Sequence, residues 1–196
     1  MSVGGAALRT WAAVLHADPI VFDVVSPAGA ADPDLREQLL DTWVRVTDAG
    51  GAVGFTAPAD RDQIAAMLDS ALRRVARGQD ALGVLRRGAG GSDSPAVGMG
   101  ILVASAAPLR RHWRTVLRVM VAPELQGLGA GRTLLEGLHD HARALGAEHL
   151  ILAVRGGTGY ERFYERFGYE IVGRHPAAIR VAPGDDRDEL TLFKRL

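Results

Sequence analysis

One segment constrains this chain more than any other. The strand-like run Trp113 to Val121 leads through Ala122 into Pro123-Glu-Leu-Gln-Gly-Leu-Gly-Ala-Gly131, and a helical pattern follows at once. From Arg132 onward Leu134, Leu135, Leu138, Ala142 and Leu145 recur at helical spacing, and Gly146 supplies a left-handed stop. A strand, a Gln126-x-x-Gly129-x-Gly131 turn and a helix, in that order, point backbone amides at whatever lies ahead of the helix. Glycine permits close approach there because it has no β-carbon. Such a turn suits a bound phosphate, and it equally suits a plain strand-to-helix connection, since 24 of the 196 residues are glycine and chance matches are easy. A dinucleotide fingerprint is excluded because its third glycine would fall on Arg132 or Leu134, and no Gly-Lys-Ser/Thr follows to make a nucleotide-binding loop.

The flanking sequence reads as alternating strands and helices in a mixed α/β layer. Ile20 to Val25 is a β-branched run ending at Ser26-Pro27. Asp32-Pro33 starts a helix with Leu35, Leu39, Leu40, Trp43, Val44 and Val46 on its buried face. The glycine-rich stretch Asp48 to Pro58 breaks it, and Asp60 with Gln63 resembles a capping box ahead of a second helix bearing Ile64, Met67, Leu68, Leu72 and Val75. Ala81 to Leu85 and Val97 to Val103 form a hairpin around a loose loop. After the central turn come a strand at His149 to Val154, a helix from about Thr158 to Phe167, and strands at Tyr169 to Gly173 and Glu189 to Lys194. Pro183-Gly-Asp-Asp186 is the turn before the last strand.

Composition removes several functions. With 23 basic and 23 acidic side chains nothing favours long-range attraction to nucleic acid or an anionic membrane, and zero cysteines rule out thiolate metal ligands and a cysteine nucleophile. No stretch approaches the roughly 20 apolar residues needed to span a bilayer. The expectation is a soluble, cytoplasmic protein of one domain over residues 18–196, preceded by an arm or short helix over 1–17. His139 and His141 point to different helix faces, so no metal site is expected.

A second motif sits downstream. In Phe163-Tyr164-Glu-Arg-Phe167-Gly168-Tyr169 an aromatic pair on a short helix is followed by a glycine and a strand. Taken together, the Gln126-to-Gly131 turn and the Tyr164-to-Tyr169 pattern resemble the GNAT N-acetyltransferase superfamily. The resemblance runs from about Asp18 to the C-terminus, and its specificity lies in residues 116 to 169. Gly50 to Phe55, His112 to Val121 and Arg155-Gly-Gly157 look similar to the tabtoxin-resistance type of acetyltransferase.

The resemblance implies the acyl-CoA N-acyltransferase fold, a central mixed β-sheet flanked by about four helices. It implies acetyl-CoA as co-substrate, with pantetheine along Val119, Met120 and Val121, and the pyrophosphate on Gln126, Gly127, Leu128, Gly129, Ala130, Gly131 and Arg132. Tyr164 matches the family's general acid. Many relatives carry asparagine where this chain has Gly157. An unperturbed lysine-like amine is only roughly 0.1% neutral or less at pH 7, so a base or a water path is needed. His112, at the entry to the cofactor strand, is the first candidate base, with Glu124 and Glu170 behind it. The acceptor site would be framed by Asp48 to Pro58 and by a loop from Arg174 to Arg187. The implied activity is acetyl transfer to a primary amine of a small molecule, with a homodimer left open. Protein or peptide acetylation, at lysine or an N-terminus, and a non-catalytic acyl-CoA-binding module are the alternatives.

Overall fold

A computed structural model describes residues 18–196. The expected arm over residues 1–17 lies outside the described residues. Within them the mixed α/β expectation holds. We number the strands β1 (Ile20–Val25), β2 (Ala81–Arg87), β3 (Ala96–Ala104), β4 (Trp113–Val121), β5 (His149–Arg155), β6 (Glu170–Ala182) and β7 (Asp185–Arg195). The helices are α1 (Pro33–Asp48), α2 (Arg61–Ala76), α3 (Ala130–Ala144) and α4 (Tyr160–Glu165).

The strands form one sheet in the order β1-β2-β3-β4-β5-β7-β6. Neighbours are antiparallel except β4 and β5, which run parallel with α3 as their crossover. Each face of the sheet buries its own cluster. Trp43, Leu39, Ile64 and Leu68 of α1 and α2 pack with Val84, Met99 and Met120 on one face. Leu134, Leu135 and Leu138 of α3 pack with Leu102, Val116 and Leu150 on the other.

Local chemistry starts the helices where expected. The Asp32 carboxylate accepts from the Asp34 amide at 2.9 Å, and Pro33 occupies the first turn, where its missing N–H costs nothing. Asp60 accepts from the Gln63 amide at 3.0 Å, and the Gln63 side chain bonds back to the Asp60 carboxylate at 2.7 Å. A strict capping box would send that side chain to the backbone N–H of Asp60 instead.

Glycines on both α3 and the sheet make room for side chains of the other. A β-carbon on Gly137 would come within 2.3 Å of the Phe22 ring, and one on Gly100 within 2.5 Å of Leu138. The C-terminal region differs from expectation. Residues 174–187 are not a loop: β6 and β7 form a long hairpin turning at Pro183-Gly184, with Gly184 at φ 81°.

Candidate active site

β4 and β5 are paired only from Trp113 to Thr115 against His149 to Ile151. Beyond those residues they diverge, and a cavity of about 530 Å³ opens in the wedge. Val116 to Val121 line one side and Leu152 to Arg155 the other. Gly51, Ala52 and Val53 close it from the α1–α2 loop, and the glycine turn with Phe163, Tyr164 and Phe167 closes it from the opposite face.

The turn before α3 is built to leave donors free. Gly127 and Gly129 sit at φ 76° and 90°, a region that costs a residue with a β-carbon about 1–2 kcal/mol. The Gln126 side chain donates to the Val121 carbonyl at 3.0 Å, bracing the turn against the end of β4. The amides of Arg132 and Thr133 both use the Gly129 carbonyl. Among the described residues the amides of Gly127, Gly129, Ala130 and Gly131 then have no acceptor, and no side chain caps the helix. Four orphan N–H groups at the positive end of a 15-residue helix make an anion cradle. Arg132 lies beside it, held by Glu136 at 3.0 Å and by the Phe167 ring, 5.2 Å from its guanidinium carbon. Leu128 is the exception in the turn, with its side chain out in solvent.

Two tyrosines lie next to each other beyond the turn, with ring centroids 5.5 Å apart, yet differ in partner. Tyr169 is buried and its hydroxyl meets Nε2 of His139 at 3.1 Å. Tyr164 lines the cavity, and its hydroxyl has no hydrogen-bond partner among the described residues. Burial, reinforced by neighbouring Tyr160, pushes the Tyr164 hydroxyl above the usual phenol range, so it holds its proton throughout the physiological range. His139 is neutral for the same physical reason. Burial lowers its pKa to about 4, with Lys194 and Arg143 adding repulsion.

The proposed bases fare differently. His112 precedes β4, about 13 Å along the strand from Val116, the first lining residue, at 3.3 Å per residue. Its ring packs edge-on against His149 instead. Glu124 is engaged by Arg45 and Arg87, and Glu170 is exposed at the start of β6. Neither glutamate lines the cavity, and among the described residues no histidine or carboxylate does. Asp185, Asp186 and Asp188 near the C-terminal turn are each bound to an arginine: Arg187, Arg180 and Arg174. Gly157 turns at φ 77° outside the cavity lining.

A charged lining residue, Arg118, was not singled out in the sequence. Opposite Met99 and Ile101, two apart on β3, stand Met120 and Leu117, three apart on β4. The extra residue is a bulge, and Arg118 sits in it at φ 54°. Its guanidinium carbon lies 5.2 Å from the Trp43 ring centroid, and Nη2 is 3.0 Å from the Met67 sulfur. Trp43 is fixed in turn by its Nε1–H to the Val53 carbonyl at 3.1 Å. A charged residue among Val116, Leu117, Val119, Met120 and Val121 was the available signal.

Comparison with known proteins agrees with this geometry. Residues 92–171 match the acetyltransferase (GNAT) domain model. A GNAT-family acetyltransferase from Streptococcus pneumoniae superposes with a TM-score of 0.68 at 16% identity, covering 91% of this chain and 100% of its own. The ribosomal-protein-alanine N-acetyltransferase of Brucella melitensis gives 0.67 at 21% identity, over 90% of this chain and 99% of that one. A Salmonella typhimurium protein described as an acetyltransferase and solved with its cofactor acetyl-CoA gives 0.66 at 17% identity, over 91% and 94%. Fold and domain match agree: the described residues have the fold of GNAT acetyltransferases, and residues 92–171 match that domain's model.

Proposed function

We propose that this chain, GNAT in fold and matched to the GNAT acetyltransferase domain over residues 92–171, transfers the acetyl group of acetyl-CoA to a primary amine of a small molecule. The observation that carries the reading is the set of four unpaired amides, Gly127, Gly129, Ala130 and Gly131, at the mouth of a wedge between two splayed strands. A diphosphate fits those donors, and the unpaired edge of β4 from Val116 to Val121 offers peptide groups to an extended amide-containing arm.

Acetyl-CoA supplies a thioester whose carbonyl the amine can attack directly. The chain's own residues position and protonate. Tyr164 keeps its proton because burial disfavours the phenolate, and it can give that proton to the sulfur as the carbon–sulfur bond breaks. The amine loses its proton to water, since no imidazole or carboxylate lines the cavity among the described residues. kcat/KM should therefore rise about tenfold per pH unit up to the pKa of the acceptor amine. A rate that stays flat over that range would instead implicate a base within the protein.

A cavity of about 530 Å³ that must also admit the cofactor's arm, with Gly51, Ala52, Val53 and Leu117 in its lining, supports a small molecule rather than a peptide or protein segment. Fold alone does not choose between them, as a ribosomal-protein N-acetyltransferase shares it. Calorimetry with acetyl-CoA, followed by thiol release with a panel of small amines and peptides, tests the reading. Absence of acetyl-CoA binding would sink it, and preference for peptides would reassign the acceptor.

A further inference from the structure

Several arginines of this protein are neutralised by a carboxylate. Arg36, Arg61, Arg74, Arg180 and Arg187 are held by aspartates, which raise their pKa values. Arg118 is the reverse. Burial alone acts on it and lowers its pKa, and among the described residues no carboxylate comes within 4.0 Å. Its surroundings are the Trp43 ring, the Met67 sulfur and Gly54, where an added β-carbon would lie 2.5 Å from Nη1. Its backbone is held at a positive φ by the bulge that delivers it there. A half-buried guanidinium without a carboxylate partner, held at a cavity wall, is stabilised when an anion arrives.

Arg118 reaches the α1–α2 side of the sheet, whereas the glycine turn and Tyr164 belong to the α3 side. Its contacts with Trp43 and Met67 lie away from the amides that would hold a diphosphate. Apolar Val46, Val53 and Leu117 share its side of the cavity. We infer that the acceptor bears a carboxylate, and that Arg118 binds it on the far side of the cavity from the glycine turn. The acceptor is then a compact, amino-acid-like molecule with an apolar body. The planar guanidinium fork matches a carboxylate with two parallel hydrogen bonds, which an ammonium cannot do. This inference rests on the transfer reading above and narrows its substrate class.

The test uses the full chain, acetyl-CoA and matched acceptor pairs: apolar free amino acids, their amides and the corresponding decarboxylated amines, with a tripeptide as the peptide control. Wild type should prefer at least one amino acid over its amide by tenfold or more in kcat/KM. R118Q should bring that ratio below about threefold, R118K should fall between, and acetyl-CoA binding by calorimetry should stay within twofold for both, which also reports that the variants are folded. Preference of the wild type for amides, amines or the peptide overturns the inference. So does an equal loss on both members of a pair in R118Q, or acetyl-CoA binding with no transfer to any carboxylate acceptor. Failure to bind acetyl-CoA at all would instead defeat the transfer reading itself.

Discussion

The two sides of the cavity are made of different material. On the α3 side the recognition groups are main-chain amides, exposed because Gly127 and Gly129 bend the backbone and Gln126 braces it. On the α1–α2 side they are side chains, Arg118 on Trp43, brought together from a strand bulge, one helix and a loop that are distant in sequence. The GNAT domain match covers residues 92–171, which includes the first side and stops short of Trp43 and Val53 on the second. A main-chain site depends on conformation, and a side-chain site depends on identity. Substitutions should therefore separate cofactor binding from acceptor choice.

The largest separation is expected at Tyr164, where chemistry alone should suffer. Tyr164→Phe should lower kcat by about 10²–10⁴-fold, the usual contribution of a general acid, with acetyl-CoA affinity nearly unchanged. Unchanged turnover would remove Tyr164 from the mechanism. Acid should next loosen the α3 side as a whole through His139. Its folded pKa of about 4 lies below the ordinary value near 6.5, so the unfolded chain binds the extra proton between them. Stability is then full above pH 6.5 and falls as pH drops toward 4, by on the order of 2–3 kcal/mol. Thermal melts of wild type and His139→Gln across pH 7 to 4 would show it, the variant losing that part of the slope.

Gly129→Val forces a β-branched residue into φ 90° and should weaken acetyl-CoA binding about tenfold, or 1.4 kcal/mol, measured by calorimetry. Equal weakening of acceptor KM would break the proposed division. The smallest change is expected from Trp43→Phe, which keeps an aromatic face under Arg118 but deletes the bond to the Val53 carbonyl. Acceptor KM should rise roughly two- to fivefold, the worth of about one net hydrogen bond, with cofactor affinity untouched.

Legibility in the sequence follows the same line. The turn ahead of α3 was readable because its strand, turn and helix are contiguous in sequence, and Tyr164, which lines the cavity, stood out through its short link to Gly168 and Tyr169. Arg118 was not, because a one-residue bulge reverses the alternation along β4, and its charge alone does not reveal which face it reaches. His112 drew attention as an imidazole at the entry to the right strand, and the rise of a strand carries it away from the chemistry. The stretch Arg174 to Arg187 looked like a loop because Pro176 and Pro183-Gly184 interrupt it. It is a hairpin because Asp188 bonds the Ala177 amide at 2.9 Å and bridges the irregularity, while Asp186 pairs with Arg180 across the strands.

The orphan amides before α3 bear on how such a molecule can change over generations. A donor that belongs to the peptide bond survives nearly every codon change, so long as the left-handed turn positions remain small. Drift can then rewrite the opposite wall residue by residue, altering what is acetylated, without ever interrupting the supply of activated acetyl groups.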